Sequence, residues 1–190
     1  MTTTDFERRD GEEAPLTERV VRISRVAKVI KGGRHLSFNA VVVMGDGEGR
    51  VGIGIGKADA VPDAVRKGAA AARKNMISVV LAGNTIPHEI VSKYCGSLVM
   101  LKPAAPGTGV IAGGAVRAVV ELAGVKDILT KARRSTNPVN VVKATFNGLA
   151  QLRNPKEEIA KRRALAERTK PARDQAAKRM AAREAELGSR

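Results

Sequence analysis

Residues 52–57 form a glycine-rich segment that ends in Gly-Lys, as a phosphate-binding loop of nucleotide triphosphatases does. That loop also requires a glycine five positions before Gly56, where this chain has Val51, and Ser or Thr after Lys57, where it has Ala58. The pattern therefore fails at two of its required positions. The sequence argues against a nucleotide triphosphatase.

Two other segments match the glycine spacing of a dinucleotide-binding loop. Residues 47–52 precede an expected strand, whereas the loop has to lie between a strand and a helix. Residues 107–112 follow an apolar strand and precede an expected helix, although Pro103 and Pro106 lengthen the connection. Asp127 falls at the start of the next strand, where it could not reach a ribose. An enzyme that binds NAD or FAD at residues 107–112 is kept as an alternative, but no cofactor is predicted.

The residue types and spacings of the chain give little support for thiol, metal or carboxylate catalysis. The chain has one cysteine, Cys95, and two histidines, His35 and His88, which excludes an intrachain disulfide and a Cys-based zinc site. Cys95 with His88 could form a thiol nucleophile, but a buried or neutral thiol is the expected case. The acidic residues show no spacing typical of paired-carboxylate catalysis. We expect no enzyme, no catalytic residues and no metal.

The charge of the chain favours a polyanionic partner. The net charge is +15 and the isoelectric point is about 10.6, which favours nucleic acid first and an anionic membrane surface second. Residues 16–152 alone contain twenty basic and eight acidic residues, so the excess is not confined to a tail. No apolar run approaches the roughly 18 residues of a membrane span. The polar, acidic N-terminus is unlike a secretory signal, so a cytoplasmic protein is expected.

Basic residues recur at every third position from Arg19 to Arg34, and no acidic residue lies between Arg19 and Gly45. A period of three matches neither a strand face nor a helix face, so charge should emerge on both sides of a projecting hairpin arm. Gly32-Gly33 marks the turn of that hairpin. The predicted RNA contacts on the arm are Arg25, Lys28, Lys31, Gly32, Gly33 and Arg34.

The strand after the arm alternates glycine with aliphatic residues. Val51, Ile53 and Ile55 are expected to point inward, with the glycines outward. Glycine within a strand costs roughly 0.5–1 kcal/mol relative to alanine, so a bare glycine face needs a reason, such as close approach of RNA or another backbone. The further predicted RNA contacts are Arg50, Gly52, Gly54, Gly56 and Lys57 on the strand and Arg66, Lys67, Arg73 and Lys74 on the next helix. Only four aromatic residues are present, so binding is expected through phosphates, 2′-hydroxyls and shape rather than base stacking.

Periodicity and turn residues predict an α+β protein. An N-terminal β-β-β-α domain is expected over residues 16–76, with strands at 20–30, 36–44 and 51–56 and a helix at 62–75. A small α/β sandwich domain is expected over residues 77–152, in the order β-β-α-β-α. Its strands are predicted at 77–81, 97–102 and 127–132, its helices at 114–123 and 138–152, and strand and turn within 84–96. Residues 1–15 are predicted to be a flexible acidic arm, and residues 153–190 a basic tail that is disordered or becomes helical on a partner.

Several of these segments resemble the family of bacterial small-subunit ribosomal protein five. They occur in the family's order and cover roughly residues 16–152. The matching stretches are RVAKVIKGGR at 25–34, GDGEGRVGIGIGK at 45–57, ARKNM at 72–76, GTGVIAGGAVRA at 107–118 and STNPVNVVKA at 135–144. Each stretch alone is a weak signal, but together they are specific.

The resemblance implies a first domain similar to a double-stranded-RNA-binding fold that lacks its first helix. It implies a place on the small ribosomal subunit, on its RNA where head meets body and near messenger entry, next to proteins four and eight. Stabilising head against body and supporting accurate decoding would be its role. The arm loop with Lys28, Lys31, Gly32, Gly33 and Arg34 would lie near the spectinomycin site, and Gly107, Gly109 and Arg117 would face protein four. No membrane and no homo-oligomer are expected; a free RNA chaperone is a second alternative.

Overall fold

Two four-stranded sheets and three helices make up most of the computed structural model, which describes residues 16–167. The α+β class is therefore confirmed. The elements in chain order are β1 (Thr17–Ile30), β2 (Gly33–Gly45), β3 (Arg50–Ala58), α1 (Val61–Lys74), β4 (Met76–Ser78), β5 (Ile90–Tyr94), β6 (Ser97–Pro103), β7 (Val110–Ile111), α2 (Gly114–Leu122), β8 (Ile128–Arg134) and α3 (Pro138–Ala150).

The first sheet is antiparallel, in the order β1-β2-β3-β4. Its first three strands and α1 reproduce the predicted β-β-β-α order. The strand expected at residues 77–81 is shorter and pairs with β3, so it closes the first sheet instead of opening the second half. That part of the sequence prediction is wrong, because periodicity gives no information on which sheet a three-residue strand will join.

The second sheet has the order β5-β6-β8-β7, and only β7 is parallel to its neighbour. β7 was not expected, since two residues are too few to show a period. The predicted α2 and α3 are both present, and α3 begins as expected at Asn137, whose side-chain oxygen accepts a hydrogen bond from the Val139 N–H at 3.3 Å.

The second half of β2, residues 40–45, is buried on both faces, and each face belongs to a different apolar cluster. Val41 and Val43 join Val51 in the larger cluster, which also contains buried residues of α2 and α3. Ala40 and Val42 form the smaller cluster with Ala64 of α1. The first sheet is therefore a middle layer, with α1 on one side and the second half on the other. Residues 16–152 accordingly form one compact unit.

The turn between β2 and β3 joins the first sheet to α2. The Gly47 N–H donates to the Leu122 carbonyl at 3.0 Å. A Cβ added at Gly45 would lie 2.1 Å from that same oxygen, and one added at Gly124 would lie 2.0 Å from the Gly47 carbonyl oxygen. Side chains at these positions would prevent the contact, so these glycines allow two backbones to meet inside the protein.

The residues from Arg153 onward form a second unit, which is described only as far as residue 167. Residues 155–167 are helical, and the Asn154 side chain accepts from the Lys156 N–H at the start of that helix. The predicted flexible arm over residues 1–15 and the tail beyond residue 167 lie outside the described residues. None of the helices between residues 16 and 167 has the length and apolar character needed to cross a bilayer.

Candidate nucleic-acid interface

The β1–β2 hairpin extends beyond the rest of its sheet. Pairing of β2 with β3 begins at Phe38, whereas residues 26–30 of β1 and 33–37 of β2 pair only with each other. Gly32 closes the turn with a φ of +90°, a conformation that glycine adopts without strain. We call residues 25–37 the arm. The predicted projecting arm is confirmed.

Basic side chains lie on both sides of the arm, as the period of three predicted. Residues directly opposite in an antiparallel pair share a face. Arg25 lies opposite Phe38 and Arg34 opposite Val29, on the side of the sheet that α1 covers. Lys28 lies opposite His35, on the other side, and Lys31 is in the turn. The arm therefore presents cations in several directions at once.

The basic side chains of the arm have no internal ion-pair partner, as is also true of most other basic residues between positions 16 and 152. Arg25, Lys28, Lys31 and Arg34 are all exposed. Within residues 16–167 none of the four forms an ion pair, although ion pairs occupy other cations of the chain. The paired cations between residues 16 and 152 are Arg19, Arg50, Arg66, Lys102 and Arg117. The arm therefore keeps its charge available for an external anion.

The arm also carries apolar side chains that the sequence analysis did not single out. Val29 is 78% exposed, and Ile30 and Leu36 are each about half exposed. By the strand pairing, Val29 and Leu36 share one face of the arm and Ile30 lies on the other, so aliphatic side chains accompany the cations on both faces. The sequence does place aliphatic residues between the basic ones of the arm. The prediction of an RNA contact rested on the period of the basic residues alone.

The outward glycine face predicted on β3 is wrong. A Cβ at Gly52 would lie 2.2 Å from the Ala72 carbonyl oxygen, one at Gly54 2.0 Å from that of Gly68, and one at Gly56 2.0 Å from that of Ala64. All three glycines are buried. The close backbone approach they permit is that of α1, so they cannot contact RNA in this structure.

The remaining basic residues predicted on β3 and α1 lie in different settings. Arg50 donates through Nε to Asp46 Oδ2 at 2.7 Å, and Arg66 donates to Asp63 Oδ1 at 2.9 Å. Lys57 is exposed near the end of β3. The exposed side of α1 carries Arg66, Lys67, Arg73 and Lys74, opposite the buried Ala64, Gly68 and Ala72.

Asp46 holds the β2–β3 turn. Its Oδ1 accepts from the Glu48 and Arg50 N–H groups at 2.8 and 2.9 Å. Burial by itself would raise the pKa of this carboxyl, but the Arg50 side chain and the two backbone donors outweigh burial, and the pKa lies below its ordinary value. The carboxylate is thus part of the fold and is not poised for acid–base chemistry.

The loop that precedes β7 is held by hydrogen bonds to a buried carboxylate. Asp127 Oδ1 accepts from the Gly107 N–H at 3.0 Å and from the Gly109 N–H at 2.9 Å. These are the donors that a dinucleotide would need for its phosphates. Since a buried anion already occupies them, the dinucleotide alternative is wrong. Arg117, predicted to contact a protein partner, donates to the Val110 carbonyl at 3.1 Å and is half exposed.

Side chains that could ligate a metal ion do not gather in a cluster over the residues that the structure describes. Within residues 16–167 no group of three or more His, Cys, Asp or Glu side chains could hold a metal ion. Cys95 is exposed, in a turn where its φ is +48°.

Comparison with known proteins gives the same family for both halves of the chain. Residues 16–80 match the N-terminal domain of ribosomal protein S5, and residues 92–163 match its C-terminal domain. The chain belongs to the ribosomal protein S5 family. Ribosomal protein S5 is a structural component of the small ribosomal subunit, so the family places this member in the cytoplasm, on that subunit, in a structural, RNA-binding role and not an enzymatic one.

Curated S5 relatives support this over most of the chain. The relative from Chloroflexus aurantiacus, a small ribosomal subunit protein uS5, is 59% identical over 156 residues, which cover 82% of this chain and 88% of the relative. The uS5 of Dehalococcoides mccartyi is 54% identical over 157 residues, covering 83% and 91%. The uS5 of Rubrobacter xylanophilus is 61% identical over 147 residues, covering 77% and 72%.

Proposed function

We propose that the arm is the main contact of this S5 family member with ribosomal RNA. Arg25, Lys28, Lys31 and Arg34 neutralise phosphates, and Gly32 and Gly33 let the RNA backbone approach the turn. The observation that carries this proposal is that four exposed cations lie together on the arm, which extends beyond its sheet and contains no acidic residue. A bound polyanion lowers their mutual repulsion further than dissolved counterions do.

The basic side of α1 is the second proposed contact. Lys67, Arg73 and Lys74 are exposed, and Arg66 forms an ion pair with Asp63. Lys57 extends the same charge from β3, while Arg50 contributes less because Asp46 holds its guanidinium. If six to ten phosphates are contacted in total, affinity should fall about 10³- to 10⁵-fold between 50 and 200 mM salt.

We further propose the finer role that the family resemblance implies. The protein steadies the head of the small subunit against its body, near messenger entry, and supports accurate decoding. The arm loop lies near the spectinomycin site, proteins four and eight are neighbours, and Gly107, Gly109 and Arg117 face protein four. Asp127 supports this last assignment, because it fixes the backbone of the loop that carries both glycines.

Sedimentation of a cell extract tests the proposed function. The protein should travel with the small subunit in a sucrose gradient at low salt and leave it as salt is raised. A protein that stays at the top of the gradient at every salt concentration would instead be a free RNA chaperone. Stop-codon readthrough in cells that carry Asp127→Ala tests the accuracy role, which predicts an altered readthrough frequency.

A further inference from the structure

A cleft of about 580 Å³ opens between β3 and α3, beside the end of α1. Ile53 and Ile55 of β3 form one wall, and Ile55 is 41% exposed, so the cleft is open to solvent. Its volume falls within the range of about 300–1,000 Å³ that is typical of small-molecule and cofactor sites. None of the residues predicted to contact RNA, apart from the buried Gly54, lines this cleft.

The opposite wall places an ammonium group against an aromatic ring. The Lys143 Nζ donates to the Tyr94 hydroxyl at 3.2 Å and lies 5.1 Å from the centre of the Tyr94 ring. Phe146 and Asn147 follow Lys143 at the i+3 and i+4 positions of α3, so the helix presents all three to the same cleft. Asn75, at the end of α1, adds a second carboxamide.

We propose that this cleft binds one unpaired nucleotide of RNA, an inference that rests on the proposed RNA-binding function. Unpaired bases stack on aromatic rings and are held by hydrogen bonds to their edges. Tyr94 and Phe146 supply the rings, and Asn75 and Asn147 supply donors and acceptors. Among the residues that line the cleft Lys143 is the only charged one, and its positive charge suits the phosphate of the nucleotide.

A nucleotide in this cleft differs from the expectation, drawn from composition, that RNA is bound without base stacking. Four aromatic residues in the whole chain argued against base stacking. The fold nevertheless brings two of the four into one cleft, from β5 and from α3, which are far apart in the sequence. An apolar peptide would make little use of an ammonium and two carboxamides, so a nucleotide fits the lining better.

The test compares two RNA duplexes of the same sequence, one fully paired and one with a single unpaired adenosine. The full chain should bind the second duplex about 5- to 150-fold more tightly, the range expected for stacking of one base. Tyr94 is the only tyrosine of the chain, so its ring protons are assigned without ambiguity in an NMR spectrum. They should move upfield with the second duplex and stay in place with the first.

Substitutions inside and outside the cleft test whether the unpaired base binds there. Lys143→Met and Phe146→Leu keep side-chain volume but remove the ammonium and the ring, and each should reduce the preference for the unpaired adenosine. Lys93→Met, an exposed position on β5 that does not line the cleft, should leave it unchanged. Folding of each variant is checked by circular dichroism, and Asn147→Ala serves as a third variant if Phe146→Leu is unfolded.

Three outcomes overturn the proposal. The first is equal affinity of the wild-type chain for the two duplexes, and the second is a preference that survives both Lys143→Met and Phe146→Leu. The third is a shift of the Tyr94 ring protons by an apolar peptide but not by the duplex with the unpaired base. Loss of binding to both duplexes contradicts the proposed RNA-binding function instead, so the two failures are distinguishable.

Discussion

Gly54 of β3 lies against Gly68 of α1, so closely that a Cβ at Gly54 would be 2.0 Å from the Gly68 carbonyl oxygen. The same arrangement repeats at Gly56 with Ala64 and at Gly52 with Ala72. Two strand residues advance about 6.6 Å and four helical residues about 6 Å, so the two series of small residues stay matched along the contact. The glycines of β3 therefore allow the backbone of α1 to pack directly against the strand.

Replacing Gly54 by alanine should destabilise the fold strongly. The added methyl group would overlap the backbone of α1 at both Gly68 and Ala72, and neither backbone can move aside as a flexible side chain would. We expect a loss of at least about 3 kcal/mol in the free energy of unfolding, measured by urea denaturation followed by circular dichroism.

Gly33→Ala is the matched control for this experiment. A Cβ at Gly33 would meet nothing within 4 Å, and its φ is not positive. Its unfolding free energy should stay within about 0.5 kcal/mol of the wild-type value. Equal stability of the Gly54→Ala and Gly33→Ala variants would contradict the packing role of the β3 glycines.

The order of strands and helices was largely predictable from the sequence, but the packing of the β3 glycines against α1 was not. Alternation in β2, the Gly32-Gly33 turn and the Asn137-Pro138 cap are local signals, and each identified its element. The partner of a bare glycine face is a tertiary contact that a strand pattern cannot specify. The series Ala64, Gly68 and Ala72, at a spacing of four, was the one sequence signal that matched the glycines at a spacing of two.

Asp46→Asn should make stability less dependent on pH. The folded-state pKa of Asp46 is below its ordinary value near 3.8, so its contribution is present above that value and is lost as pH falls through the lowered pKa. At pH 7 the variant should be about 1.5–3 kcal/mol less stable than wild type, since a charged hydrogen-bond acceptor is lost. Urea denaturation at pH 7 and pH 3 measures the difference, which should shrink at pH 3.

Asp59→Asn is the control for the pH experiment, because Asp59 is exposed and forms no ion pair within the described residues. It should match wild type at both pH values. A difference between Asp46→Asn and wild type that is as large at pH 3 as at pH 7 would show that the Asp46 charge is not what stabilises the turn.

Asp127→Ala should loosen the loop that carries Gly107 and Gly109. Two backbone donors would lose their acceptor, at a cost of about 1–3 kcal/mol. Amide hydrogen exchange at Gly107 and Gly109 should become faster by a larger factor than exchange within α3, which follows only the change in global stability. Asp127→Asn retains an acceptor oxygen and should restore most of the protection; equal exchange in both variants would exclude the proposed role of Asp127.

The projecting arm was predicted correctly from its charge pattern, whereas the outward glycine face of β3 was predicted incorrectly. The period of three from Arg19 to Arg34 was enough to predict an arm with cations on both sides. Tyr94 and Phe146 could not be brought together from the sequence, because 51 positions separate them and only the packing of α3 on β5 makes them neighbours.

The salt dependence of RNA binding by arm variants tests the central claim most directly. Lys31→Ala and Arg34→Ala should each lower the slope of log Kd against log salt concentration by about one unit, and their double variant by about two. Lys102→Ala removes the same charge from a residue that is paired with Glu89 and lies outside the arm, and its slope should equal that of wild type. Slopes that are the same for wild type and the double arm variant would contradict phosphate binding by the arm.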